Sequence, residues 1–205
     1  MEHTFPFVEL IGTAYETGVQ TGKLFRSELC KGAKASEALL RNSEVRKDFE
    51  TVKRILETEY PDELLHAYGR ADGAGADRDA YLLFLCYELG EDRGPERCSD
   101  IIVCDAGRII IGHNEDGPYT IQNSALVKYT TGGDWYYDYA SPDALSGGSF
   151  GFTSAGLVYT MNYMYLETLR RDRTPVWFFL RRLVACKSIE EIKADFIYTT
   201  CRSIW

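Results

Sequence analysis

Residues 95–116, PERCSDIIVCDAGRIIIGHNED, hold two apolar runs joined by a turn. Ile101, Ile102 and Val103 favour a strand, as do Ile109, Ile110 and Ile111, because branched side chains suit a pleated surface. Asp105-Ala106-Gly107 between them supplies a hairpin loop. A hairpin closed there brings Cys98 and residues 114–116 to the same end of a sheet. A thiol and an acidic cluster then share that end, which is a workable geometry for a nucleophile and its supporting groups. Alternation along the second strand puts His113 and Glu115 on one face and Asn114 and Asp116 on the other. An acidic pair at a strand end ordinarily reads as a solvated loop. Asn114 and Asp116 stand out because they lie where the hairpin returns to Cys98.

Upstream, residues 90–97 form a polar connector containing Gly and Pro that leads directly into Cys98. Before it the pattern is mostly helical. The run 7–11, Phe-Val-Glu-Leu-Ile, reads as a short strand. Thr13 and Glu16 have the spacing of a capping box, which opens a helix through Tyr15, Val19 and Phe25 toward Cys30. Gly18 and Gly22 share one face of it, so another element is expected to approach closely there. Val45, Phe49, Val52 and Leu56 form one apolar stripe, which Tyr60-Pro61 interrupts. Pro61 suits the first turn of a new helix, with Leu64, Leu65, Tyr68 and Ala71 expected on its buried face. The glycines between Gly69 and Gly75 follow a helix and not a strand, so they read as a helix end and turn, not a phosphate loop. Asp77 caps a further helix through Tyr81, Leu82, Leu85, Cys86 and Leu89.

Downstream, strands are expected over 125–130, 135–139 and 157–163, separated by glycine-containing turns. Past Pro175 the pattern is helical again, and Ser188 with Glu191 begins a last helix. Helices, then antiparallel-looking strands, then helices define an α+β protein with helices layered on sheet.

The sequence has 205 residues, 45% hydrophobic and 26% charged, with a net charge of −8. Length and balance suit one soluble domain over residues 1–205. The acidic balance and the absence of long basic runs argue against a nucleic-acid partner. No apolar run is long enough to span a bilayer. The start, Met1-Glu2-His3-Thr4, lacks the features of a signal peptide, so a cytoplasmic location is expected. The six cysteines, at 30, 86, 98, 104, 186 and 201, include no C-x-x-C pair and no zinc-ligand spacing. They read as reduced, mostly packed thiols.

Cys98 is the exception, because it follows a polar connector and opens a strand. Cutting the backbone at Arg97-Cys98 would free the Cys98 α-amine, whose pKa of roughly 8 lets it accept a proton at neutral pH. Base and nucleophile then sit on one residue. The competing arrangement is a Cys–His pair, for which only His113 is near. Asn162 falls between Met161 and Tyr163 in a strand-like run, where Asn is disfavoured. It marks a strand end, or it offers an amide donor to an oxyanion. Trp135, Tyr136, Tyr137, Tyr139, Tyr159, Tyr163 and Tyr165 line a pocket or simply pack between strands.

Four segments in order resemble a known family. They are Leu10-Ile11-Gly12-Thr13-Ala14-Tyr15-Glu16-Thr17-Gly18, then Pro61-Asp62-Glu63-Leu64-Leu65 through Gly75, then Cys98-Ser99 with Gly112-His113-Asn114-Glu115-Asp116, then Gly151-Phe152-Thr153-Ser154-Ala155-Gly156-Leu157 through Asn162. Together they are similar to the acyl-CoA:isopenicillin N acyltransferase-like family of autoproteolytic N-terminal nucleophile (Ntn) hydrolases, relatives of penicillin V acylase and bile-salt hydrolase. The resemblance implies an αββα sandwich and a precursor that cuts itself between Arg97 and Cys98. It implies a helical part over 1–97 and a nucleophile-bearing β part over 98–205, which stay associated after cleavage. Cys98 would attack a small-molecule amide or acyl thioester, Asp116 would position it, and Asn162 would serve the oxyanion hole. His113 and Asn114 would support the site. No metal or organic cofactor is implied. Family members are longer, so a truncated C-terminal end and an incomplete second sheet are expected. Arg97 stands where the family commonly has Gly. These two departures give the alternative of a catalytically incomplete remnant that acts as a scaffold or small-ligand binder.

Overall fold

Four glycines govern how the helical part is assembled. The computed structural model describes residues 6–86, 89, 98–116, 123–162 and 173–198. In it α1 (Ala14–Leu24) and α4 (Pro61–Ala74) cross with backbone against backbone. A Cβ on Gly22 would lie 2.1 Å from the Arg70 carbonyl oxygen, and one on Gly73 would lie 2.1 Å from that of Val19. Gly18 and Gly69 are similarly tight against the carbonyls of His66 and Tyr15. The close approach expected at Gly18 and Gly22 is therefore present, and α4 is the element that makes it.

The capping box expected at the start of α1 is also present. Thr13 Oγ1 accepts from the Glu16 amide at 3.3 Å, and Glu16 Oε2 accepts from the Thr13 amide at 2.8 Å. The helix does not continue to Cys30. Phe25 leaves helical geometry at φ −107° and ψ 26°, its ring is buried, and a separate helix, α2 (Arg26–Glu37), starts after it. The burial of one aromatic ring overrides a helical pattern that has no breaker residue. In α3 (Ser43–Glu59), Phe49, Val52 and Leu56 are buried as the stripe predicts.

Pro61 opens α4, but its buried face differs from the expected one. Leu64, Ala67, Ala71 and Ala74 face the core, while Leu65 is 47% exposed. Small residues permit the close crossing with α1, and they carry little apolar signal in sequence. Gly69 and Gly73 lie inside α4, where they admit α1, so the helix end expected over 69–75 falls at Gly75 alone, which adopts φ 78°. Asp77 caps α5 (Arg78–Leu85) by accepting from the Ala80 amide at 2.9 Å.

Seven strands are described: β1 (Phe7–Ile11), β2 (Ser99–Asp105), β3 (Arg108–Asn114), β4 (Ala125–Thr131), β5 (Asp134–Ala140), β6 (Phe150–Thr153) and β7 (Val158–Thr160). Five form a sheet in the order β1-β4-β5-β6-β7, with β1 parallel to β4 and the other pairings antiparallel. Helices cover the face that carries Leu10, Val127 and Tyr129. There Thr21 Oγ1 and the Tyr129 hydroxyl lie 3.2 Å apart. Arg70 reaches from α4, buried, and donates to the carbonyls of Ser141, Pro142 and Ala144, which fixes the loop after β5. The opposite face bears a stack of Phe7, Tyr137 and Phe152, with centroids 6.0 and 4.5 Å apart.

The other two strands, β2 and β3, form the expected hairpin as a separate sheet. Ala106 and Gly107 turn it with φ of 46° and 79°, the two positive values that a tight hairpin needs. β7 ends at Thr160, so Asn162 lies just past a strand, as one of its two sequence readings has it. Two helices, α6 (Val176–Ala185) and α7 (Ile189–Tyr198), complete a mixed α+β arrangement. Tyr163, Tyr165 and Arg97 lie outside the described residues.

Candidate functional site

The hairpin register sets the site. Ser99 pairs with Asn114 and Asp100 with His113, so Cys98 enters the sheet beside Glu115. The Cys98 thiol donates to Glu115 Oε1 at 3.4 Å. His113 Nε2 stands 3.5 Å from Glu115 Oε2. Cys98, His113 and Glu115 each offer an atom within 4.8 Å of the others. Thiol, imidazole and carboxylate thus converge on one point.

Behind them Asp100 orients the imidazole. Its Oδ1 lies 2.8 Å from His113 Nδ1, a pair in which the ionised carboxylate accepts from Nδ1–H. That tautomer leaves the Nε2 lone pair facing the thiol and Glu115. The His113 hydrogen bond holds the Asp100 carboxyl below the ordinary carboxylate range, and hydrogen bonds from Asn162 and Thr160 add to it against partial desolvation. Thr160 Oγ1 donates to Asp100 Oδ2 at 3.1 Å, and Asn162 Nδ2 donates to the same oxygen. Ser149 Oγ donates to Glu115 Oε2. The His113 side chain is 4% exposed and packs against Phe150, with ring centroids 5.7 Å apart.

Asn114 and Asp116 take the other face, as alternation predicts. Asn114 Nδ2 donates to Asp116 Oδ1 at 2.8 Å. Of the residues singled out in sequence, Cys98, His113 and Asn162 therefore join one network, with Asn162 linked through Asp100. Asn114 and Asp116 form a pair of their own at the same sheet end. Three members of the network carry no sequence argument: Asp100, Ser149 and Thr160. Asp100 is reachable in principle, because fixing the hairpin turn puts it opposite His113. Ser149 and Thr160 arrive from distant segments, and nothing local marks them. Glu115 reads in sequence as a solvated acid but accepts both a thiol and a hydroxyl.

A cavity of ≈ 220 Å³ opens beside His113, lined by Ile111, Phe150, Phe152, Val158, Tyr159 and Thr160 among others. Its walls are mainly apolar and aromatic. Of the tyrosines noted in sequence, Tyr159 borders this space. Tyr136 instead packs beneath Arg181, which donates to its hydroxyl at 2.7 Å. A second cavity of ≈ 260 Å³ lies near Glu63, Trp135 and Arg181 and contains none of the thiol cluster.

Two known groups of proteins are similar to this sequence. Residues 104–196 match the family described as acyl-coenzyme A:6-aminopenicillanic acid acyl-transferase. The matched stretch contains Asp116 and Asn162 and begins just downstream of Cys98. The sequence is also similar to a beta-alanyl-dopamine/carcinine hydrolase of Drosophila melanogaster, with 22% identity over 214 residues. That alignment covers 91% of this protein and 55% of the relative, so the sequence spans about half the relative's length. The resemblance to acyltransferases and amide hydrolases of this group, read from the sequence, is borne out.

Proposed function

We propose that Cys98 is the nucleophile of an amide hydrolase or acyltransferase of the Ntn type. The observation that carries this reading is the convergence of the Cys98 thiol, His113 Nε2 and Glu115, with Asp100 holding the far side of the imidazole. In the uncut precursor the Cys98 nitrogen is part of a peptide bond and is no base. Glu115 Oε1 is the acceptor nearest the thiol, and His113 Nε2, within 4.8 Å, is the imidazole able to take its proton. The sulfur attacks the carbonyl carbon of residue 97, and a thioester forms as the C–N bond breaks. The departing nitrogen takes up a proton, and water hydrolyses the thioester. Cys98 is left with a free α-amine, which can serve as base in later turnovers.

In turnover the same sulfur attacks the carbonyl of a small amide or thioester, and the acyl group passes to water or to an amine. The apolar cavity beside His113 suits an acyl or aromatic substituent. Asn162 Nδ2 carries a second N–H besides the one it gives to Asp100, and that N–H is the donor for an oxyanion. Asp116, bonded to Asn114 at the same sheet end, keeps the positioning role that the resemblance gives it. Fragments 1–97 and 98–205 would stay together, because β1 pairs with β4 across the cut. The layers of helices, five-stranded sheet and hairpin support an αββα sandwich. A cytoplasmic setting with reduced thiols completes this reading. The relative's name makes beta-alanyl-dopamine and carcinine the first amides to assay.

A second reading has one observation in its favour. The Cys98 thiol donates to a carboxylate, and that contact favours the neutral thiol over the thiolate. A non-catalytic ligand-binding scaffold accommodates it. Intact-mass measurement of the purified protein separates the two. The catalytic reading expects two pieces divided at 97/98, with Cys98→Ala remaining whole. A wild-type protein that stays whole would count against self-processing.

A further inference from the structure

We propose that Cys98, His113 and Glu115 form a binding site for a thiophilic divalent cation of the Zn²⁺ type, which blocks the nucleophile when occupied. Binding itself does not depend on acyl transfer, and only the block on the nucleophile rests on that reading. Ligands bound at about 2.0–2.3 Å to a tetrahedral ion lie roughly 3.3–3.8 Å from one another. Here Cys98 Sγ lies 3.4 Å from Glu115 Oε1, His113 Nε2 lies 3.5 Å from Glu115 Oε2, and one ligand atom from each residue lies within 4.8 Å of the other two, so a small closing movement reaches that spacing. The three ligand types are those zinc takes, and three protein ligands leave one position for water.

A second observation points the same way. His113 Nε2 is buried, its side chain is 4% exposed, and the nitrogen has no hydrogen-bond partner. It faces the thiol and the carboxylate, and a buried polar atom left unpaired is costly. A cation between the three groups satisfies it. The surrounding groups have the arrangement of a metal site's outer layer. Asp100 holds His113 Nδ1 at 2.8 Å, as carboxylates do for metal-bound histidines, and Ser149 donates to Glu115 Oε2, which orients that carboxylate. One thiolate and one carboxylate balance a divalent ion, and the thiol proton is released on binding. A metal-held thiolate shares a lone pair with the ion and is a weaker, less accessible nucleophile, so binding opposes acyl transfer.

The test uses the purified protein, freed of metal with a chelator and titrated with Zn²⁺ against a chromophoric chelator, then with Co²⁺ as a spectroscopic probe. The expected result is one ion per molecule and a thiolate-to-cobalt charge-transfer band. Cys98→Ser should lose the band, and His113→Ala should weaken binding by ~100-fold or more, beyond the effect of losing an outer-layer partner. Asp100→Asn should weaken it by roughly 10–100-fold, as loss of an outer-layer partner does. Circular dichroism of Cys98→Ser checks that the fold persists, and the retained serine hydroxyl keeps the change small. In the wild-type protein Zn²⁺ should slow alkylation of Cys98 while leaving exposed Cys104 unaffected. Absence of stoichiometric binding, or a band that survives in Cys98→Ser, overturns the proposal. These readouts need no turnover, so an inactive protein leaves the outcome legible.

Discussion

Asp138 shows what burial does to a single carboxyl. It sits in β5, accepts from the Gly147 amide at 3.0 Å and from the Tyr159 hydroxyl at 2.8 Å, and is buried. Burial pushes its pKa up to about 6, whereas an unfolded Asp titrates near ~3.9. The folded state therefore holds this proton more tightly than the unfolded state does. Its contribution is most favourable below about pH 4, declines as pH rises toward 6, and is flat above that. The difference amounts to about 3 kcal/mol at most. Asp138→Asn should remove this decline, so denaturant melts at pH 4 and pH 7 should differ less for the variant than for the wild type. At the site, Asp100→Asn should slow modification of the Cys98 thiol about tenfold, because a neutral amide cannot hold the imidazole as an effective base. Iodoacetamide labelling followed by peptide mapping reads this directly. Residue identities at the site are partly legible in sequence. Cys98 stands out by its position, and His113 by its nearness to it. The value of Glu115 lies in contacts with Cys98 and Ser149 that only the folded protein provides.

Elements are legible where the signal is local. The caps at Thr13 and Asp77, the proline start at Pro61 and the turn at 105–107 each need only a few neighbouring residues, and each is present. The break at Phe25 and the exposure of Leu65 are not legible, since both follow from what other elements do to a regular pattern. The α1–α4 crossing gives the sharpest element-scale prediction. Gly22→Ala sets a methyl 2.1 Å from a backbone oxygen, where nothing flexible is available to give way. It should cost about 3 kcal/mol or more, read as a lowered urea midpoint, since overpacking of this kind costs typically 1–3 kcal/mol even where neighbours can shift. The hairpin poses the opposite case. Ile101 is 72% exposed and Ile109 70%, with Ile102, Val103 and Ile110 also exposed. An apolar patch of this kind promotes association. Ile101→Thr with Ile110→Thr should raise solubility without lowering the melting temperature.

At the scale of the molecule, order along the sequence is enough to read α+β, because helical and strand patterns come in blocks. Long-range pairing is not readable in the same way. The parallel contact of β1 with β4 sets Phe7 opposite Leu126, and no local pattern encodes it. Arg70 ties the helical part to the loop after β5 through three carbonyls. Arg70→Met should therefore lower stability by about 3 kcal/mol, since each hydrogen bond to a charged donor is worth ~1.5–3 kcal/mol and the carbonyls are left buried. A urea melt followed by tryptophan fluorescence measures it, as Trp177 packs in the same core.

Activation of one thiol over the others carries the functional reading, and competitive alkylation within one molecule measures it most directly. Cys104 is exposed, while Cys98 is only partly exposed but faces His113 and Glu115. Accessibility alone ranks Cys104 first. An activated nucleophile at Cys98 predicts the reverse, with Cys98 labelling at least ~10-fold faster and His113→Ala abolishing the difference. Faster labelling of Cys104, with Cys98 indifferent to His113→Ala, would contradict it.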